Sequence, residues 1–178
     1  MHREESLRQR FYTIYEASTR VHIYNRHRPG DGCHSSLLRE LHPTYSIPFE
    51  IHDAPQGTQS FAVVLEDKDA ITASGFVWIH WLIADLERTV IQENESQTAT
   101  DYVQGANTWA SKLGQFDIEE ASFYGGMAPP NCLHRYELIV YALDTKLNLK
   151  PGFRFNDLHF AMQGHILDQA VVMGTYDV

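Results

Sequence analysis

Positive charge is scarce in this chain of 178 residues: fourteen Lys plus Arg stand against twenty-three Asp plus Glu, a formal net charge of −9. A surface of that sign repels nucleic-acid backbones and anionic membranes, which argues against a polynucleotide partner. Cysteine is nearly absent. Cys33 and Cys132 lie far apart without CxxC spacing, a pattern that fits neither a zinc site nor a disulfide framework, and both thiols are expected to be reduced. No apolar run approaches a membrane span, and the charged opening (His2, Arg3, Glu4, Glu5, Arg8, Arg10) lacks the apolar core of a secretory signal. The expectation is a soluble, cytoplasmic protein. There is no Gly-x-Ser-x-Gly elbow for a serine nucleophile and, among ten histidines, no HExxH spacing. A metal site built from His80, His134 and His159 is therefore not expected, nor is a cofactor.

With neither internal repeats nor low-complexity tracts, the chain is organised by its apolar periodicity and its breakers. At 43% hydrophobic residues it can bury one substantial core, so a single domain is expected over residues 1–178, with a helical extension (1–20) before a core (21–176). Leu7, Phe11, Ile14, Tyr15 and Ser18 have helical spacing, and Ser6 can cap them, which predicts a short helix over 6–20. Residues 21–24 read as a strand, and Arg28-Pro29-Gly30-Asp31-Gly32 opens a polar loop to about residue 45. A strand over 47–51 is confined to an edge or bulge by Pro48. The centre is β. Residues 60–67 put Phe61, Val63 and Leu65 on one face and Ala62 and Val64 on the other, while 76–86 is apolar on both faces, and both read as interior strands. A long polar stretch (87–123) follows, of the length that is usually functional or mobile. Residues 136–143 supply another strand, and Pro151-Gly152 a turn. An amphipathic helix is predicted over 157–171, with Leu158, Met162, His165 or Ile166, and Gln169 inward, and 171–176 can add a last strand.

The densest cluster of chemistry is Tyr124-Gly125-Gly126-Met127-Ala128-Pro129-Pro130, followed by His134-Arg135-Tyr136 and the strand that they open. Open backbone, stiff shape and anion-seeking side chains combine there into a candidate binding loop. Further blocks precede and follow it: Asp53-Ala54-Pro55-Gln56-Gly57-Thr58-Gln59-Ser60-Phe61-Ala62, Glu66-Asp67-Lys68-Asp69-Ala70, Trp78-Ile79-His80-Trp81, Gly105-Ala106-Asn107, Gly164-His165-Ile166-Leu167 and Gly174-Thr175-Tyr176. In that order and spacing the chain resembles the phosphatidylethanolamine-binding proteins (PEBP), also called Raf kinase inhibitor proteins, particularly their bacterial and archaeal members. The likeness spans roughly residues 21–176.

The resemblance implies a mainly β fold, a β-sandwich with a large antiparallel sheet, a smaller sheet and a few peripheral helices. It also implies a small pocket for phosphate-like anions, including phosphorylethanolamine head groups. By motif position, Asp67, Asp69 and His80 fall on the pocket's first segment, and Gly125, Pro130, His134 and Tyr136 on its second. The family is associated with regulation of kinases or proteases and has no agreed reaction, so a non-enzymatic binding or regulatory module is implied.

The same residues can be read by their physics. Main-chain N–H groups near Gly125 and Gly126 can approach an anion closely because no Cβ intervenes, and His134 can donate a hydrogen bond beside them. Pro129-Pro130 stiffens that wall, and a cis bond there is open to it. Asp67 beside His80 would orient the imidazole and favour its charged form, leaving the other ring nitrogen aimed at the ligand. Asp69 can receive the ammonium of an ethanolamine group. The bland readings stand beside these: His80 as a satisfied core histidine, Asp67 and Asp69 as residues that end a strand and shape a turn, Arg135 as a partner for a carboxylate, and Tyr124 and Tyr136 as packing.

The chain also departs from the family pattern. Lys68 and Ile71 replace the two prolines of the usual Asp-Pro-Asp-Ala-Pro segment, so Lys68 either strengthens anion binding or pairs with Asp67 or Asp69. The family's Ser-Pro-Pro segment is reduced to Tyr45-Ser46-Ile47-Pro48-Phe49. Residues 116–123, with Asp117, Glu119 and Glu120, lengthen the approach to Tyr124 and disfavour strongly anionic ligands. A small anionic or phosphate-bearing ligand, a kinase or protease partner, and a homodimer through edge strands are the expected partners. The alternative is a small hydrolase or transferase with Asp67–His80 as orienter and base. It lacks a placed nucleophile, since Cys132 has no identified activating arrangement.

Overall fold

The computed structural model describes residues 10–11, 22–25 and 45–176. Nine strands occur there: β1 (Arg10–Phe11), β2 (His22–Asn25), β3 (Phe49–His52), β4 (Ser60–Asp67), β5 (Trp78–Leu86), β6 (Val90–Ile91), β7 (Val103–Gln104), β8 (His134–Leu143) and β9 (Ile166–Tyr176). Two short helices, α1 (Ile71–Ser74) and α2 (Phe155–Met162), and a 3-10 turn (Thr108–Ala110) complete them. The strands form a six-stranded sheet in the order β1-β9-β8-β4-β5-β7 and a three-stranded sheet, β2-β3-β6. Every pairing is antiparallel. The mainly β expectation holds.

Both faces of the large sheet are covered, which is why β4 and β5 carry apolar residues on both sides. One core holds Phe49, Ile51 and Ile91 of the small sheet with Phe61, Val63, Leu65, Trp81, Ile83, Leu138 and Val140 of the large one. The other joins Ala62, Val64, Leu82 and Ala84 to Phe153 and to Leu158 and Met162 of α2.

Several boundaries differ from the sequence reading. Arg10 and Phe11 pair with β9 as strand, against the helix expected over 6–20; the rest of that span lies outside the described residues. Cys33 and most of the 28–45 loop lie outside them as well, while Cys132 is an exposed free thiol. Pro48 sits just before β3, so β3 can occupy the middle of its sheet rather than an edge. The helix expected over 157–171 is really α2 and the first half of β9, divided by Gly164 at φ +80°, a left-handed turn that a glycine adopts without strain. Of its four expected inward positions only Leu158 and Met162 are buried. His165 is exposed and bonds Asp144 (Nδ1 to Oδ1, 2.8 Å).

The polar stretch 87–123 is not a free loop. It contributes β6, β7 and the 3-10 turn, and a buried network ties it to the core. Trp81 Nε1 donates to Gln104 Oε1 (2.8 Å), Ser96 Oγ donates to the same oxygen (2.7 Å), and Gln104 Nε2 donates to the Ser96 carbonyl (2.8 Å). Outside that network, Arg88 reaches Asp101, Glu95 and the Val90 carbonyl and lies over the Tyr102 ring. No helix among the described residues is long and apolar enough to cross a membrane.

Candidate functional site

Strand register brings the first residues together. Asp67 ends β4 directly opposite Tyr136 of β8, so His134, two residues earlier on β8, lies on the same face beside the carboxylate. Asp67 Oδ2 accepts from His134 Nδ1 at 2.7 Å, with both side chains buried. The other carboxylate oxygen accepts the Ala70 N–H (3.1 Å), so Asp67 also shapes the turn after β4.

A β-bulge supplies His80. Leu65 pairs with Trp81 but Glu66 pairs with Ile79, which leaves His80 as an extra residue in β5. The extra residue lets His80 share a face with Trp81 and pack edge-on to the Tyr136 ring at 5.3 Å between centroids. His80 and Gly125 are then tied twice: the Gly125 N–H donates to the His80 carbonyl (2.7 Å), and His80 Nδ1 donates to the Gly125 carbonyl (2.8 Å).

The expected Asp67–His80 hydrogen bond does not form. Asp67 orients His134 instead, because register carries it to β8 while the bulge hands His80 to the Gly125 carbonyl. Burial, the largest effect, pushes the His80 pKa below its ordinary 6.5, and the Gly125 carbonyl and the Asp67 charge offset this only in part. His80 is accordingly a neutral, satisfied imidazole rather than an imidazolium. The hydrolase alternative, which paired these two residues, lacks Asp67 as the orienter of His80.

The glycine loop is held closely. Asn107 donates from Nδ2 to the Phe123 carbonyl (2.8 Å), its N–H reaches the Ala121 carbonyl (2.9 Å), and the Tyr124 N–H reaches Ser96 Oγ (2.9 Å). A Cβ on Gly125 would stand 2.8 Å from Trp109 Cδ1 and 2.9 Å from Asn107 Nδ2. Packing therefore demands the glycine, and its N–H is already used; the Gly126 N–H donates to no group among the described residues. The chain has no cis peptide bond at Pro129 or Pro130; Pro129 is buried and Pro130 is exposed.

Two expected ligand groups are engaged elsewhere. Asp69 receives a two-pronged contact from Arg135 (Nε to Oδ2 2.9 Å, Nη2 to Oδ1 2.8 Å) and the Arg135 N–H (2.9 Å), and the guanidinium lowers its pKa to about 2. Lys68 pairs neither with Asp67 nor with Asp69. It lies between Glu66 (3.2 Å) and Glu137 (2.6 Å), which face each other across β4 and β8 on the opposite side of the sheet from Asp67.

The Tyr136 hydroxyl is buried and has no hydrogen-bond partner among the described residues; burial first, and then the Asp67 charge, pushes its pKa up. Buried polar atoms are rarely left so, which makes this hydroxyl a candidate donor. The site thus joins Asp67, His134, His80, Gly125 and Tyr136. Asp69 lies on its flank, locked to Arg135, and Pro130 is exposed on the loop that leads to His134. Asn131 went unremarked in the sequence: its Oδ1 accepts from His134 Nε2 at 2.9 Å. Nothing marks it there except its place three residues before the histidine. No cluster of metal-ligating side chains occurs among the described residues.

The family model described as phosphatidylethanolamine-binding protein matches residues 32–177. The chain belongs to that family. The Bacillus subtilis protein YxkA is 40% identical over 138 residues, covering 75% of this chain and 82% of its own. A Chlamydia pneumoniae relative of the UPF0098 group is 35% identical over 136 residues, covering 74% and 82%. Among solved structures, a phosphatidylethanolamine-binding protein homologue from Chlamydia trachomatis has 30% identity and a TM-score of 0.65, covering 75% of this chain and 82% of that one. Escherichia coli YbcL superposes with a TM-score of 0.69 at 21% identity, covering 89% and 99%, a likeness of fold.

Proposed function

We propose that this PEBP-family protein binds small phosphate-bearing groups without transforming them, and that His134 is the principal anion-facing side chain. The observation that carries the reading is the buried Asp67–His134 pair, 2.7 Å apart. A carboxylate accepting from Nδ1 fixes the ring with Nε2 turned away from Asp67, and Nε2, facing the acceptor Asn131 Oδ1, is a donor on that fixed axis. The Asp67 carboxyl holds that ring in place, so the group offers a hydrogen bond of fixed direction. The Gly126 N–H and the Tyr136 hydroxyl are the further donors in this reading. His80 acts through Gly125, as a positioning residue that fixes the loop. A phosphorylated or acidic group of a kinase or protease would present the same oxygens, and regulation of such a partner is the protein-level form of the proposal.

Calorimetric titration of inorganic phosphate and of phosphorylethanolamine tests it. His134→Ala is expected to weaken phosphate binding about tenfold or more, the loss of one charge-assisted hydrogen bond of about 1.5–3 kcal/mol. Wild-type affinity retained in that variant would refute the assignment. Because Asp69 is already held by Arg135, phosphorylethanolamine is expected to bind no more tightly than phosphate.

A further inference from the structure

His134 is completely buried, with 0% of its surface exposed, yet it is the group on which the proposed anion site rests. Its outward nitrogen is occupied by Asn131 Oδ1 at 2.9 Å. A carboxamide oxygen is a neutral acceptor that uses the same ring N–H a phosphate oxygen would use. It stands where the first oxygen of an anion would have to stand. Asn131 itself is exposed, so rotation about its own side-chain bonds can uncover the ring nitrogen without disturbing either core.

We propose that Asn131 is a latch that caps His134 in the unliganded protein and must swing aside for a phosphate-bearing ligand to bind. The inference rests on the anion-binding reading above and adds regulation of that site. The closed contact competes directly with the ligand for one donor, so it lowers apparent affinity in proportion to the closed fraction. It also gives selectivity: a ligand must offer a better acceptor than an amide oxygen, which an anionic oxygen does and a neutral carbonyl does not.

The variants Asn131→Ala, which removes the acceptor, and Asn131→Asp, which keeps its position and strengthens it, separate the possibilities. Inorganic phosphate is titrated by calorimetry into each full-length protein, and the His134 ring nitrogens are followed by nitrogen-15 magnetic resonance. Asn131→Ala is expected to bind phosphate about five- to tenfold more tightly than wild type and to show a displaced Nε2 resonance before ligand is added. Asn131→Asp is expected to bind more weakly than wild type. Equal or weaker binding by Asn131→Ala, with wild type still binding, overturns the latch and leaves the anion site standing. So does an unmoved Nε2 resonance. Absence of binding by wild type and Asn131→Ala alike, to both phosphate and phosphorylethanolamine, overturns both proposals.

Discussion

At the scale of single residues, each chemical group of the site has a task set by one or two contacts. Asp67 orients His134 and closes a turn, Asp69 anchors Arg135, and Gly125 makes room for Trp109 and Asn107. Gly125 is the sharpest case, because the added methyl of Gly125→Ala would meet an indole and an amide that are both committed to other partners. The substitution is expected to cost about 1–3 kcal/mol of stability by overpacking. Chemical denaturation measures this, and an unchanged midpoint would show that the loop yields more easily than its contacts imply. Asp67→Asn is subtler. An amide there can still face the imidazole but accepts from it more weakly than a carboxylate and fixes the ring less firmly, so phosphate binding is expected to weaken while Ala70 retains its acceptor.

At the scale of elements, the site depends on a strand register, a bulge and a pinned loop. The pin is the Trp81–Gln104–Ser96 network, from which Ser96 Oγ also holds the Tyr124 N–H beside the glycines. Gln104→Leu would strip the partners from the Trp81 indole N–H, the Ser96 hydroxyl and the Ser96 carbonyl, costing about 3 kcal/mol or more at roughly 1–3 kcal/mol per buried group left unpaired. Denaturant unfolding checks the cost, and phosphate titration of the folded variant checks whether the loop is displaced. Some of this organisation was legible in the sequence. β4 was, because a short, β-branched apolar run between turn residues reads as an interior strand, and the observed strand ends at the residue expected. The long helix was misread because Leu158, Met162 and Ile166 keep helical spacing across a turn, although Gly164 between them is the break. The Asp67–His134 pair was hidden for another reason. Both residues were recognised, but which histidine the carboxylate meets depends on the register of β4 against β8 and on the extra residue in β5, and neither leaves a local pattern.

At the scale of the whole molecule, titrating groups whose pKa values shift on folding make stability depend on pH. His80 is neutral in the fold with its pKa below 6.5, whereas the unfolded chain takes up the proton near 6.5, so its contribution is complete above that pH and declines as pH falls toward the folded value. Asp69 behaves similarly at more acid pH. Its carboxylate, held at about 2 in the fold against an unfolded value near 3.9, contributes above about pH 4 and is lost as pH falls toward 2. Thermal melts from pH 7.5 to 5 are expected to show falling stability, with a shallower fall in His80→Gln. A slope identical in the variant would mean that folding leaves the His80 pKa unchanged.

The surface as a whole is acidic, at −9, so affinity for an anion must come from local donors and not from the long-range field. The most direct measurement of that claim is a crystal structure grown with phosphate. The ion is expected within hydrogen-bond distance of His134 Nε2 and beside the Gly126 main chain, with Asn131 rotated off the ring. An ordered phosphate elsewhere, with the Asn131–His134 contact intact, would contradict the account.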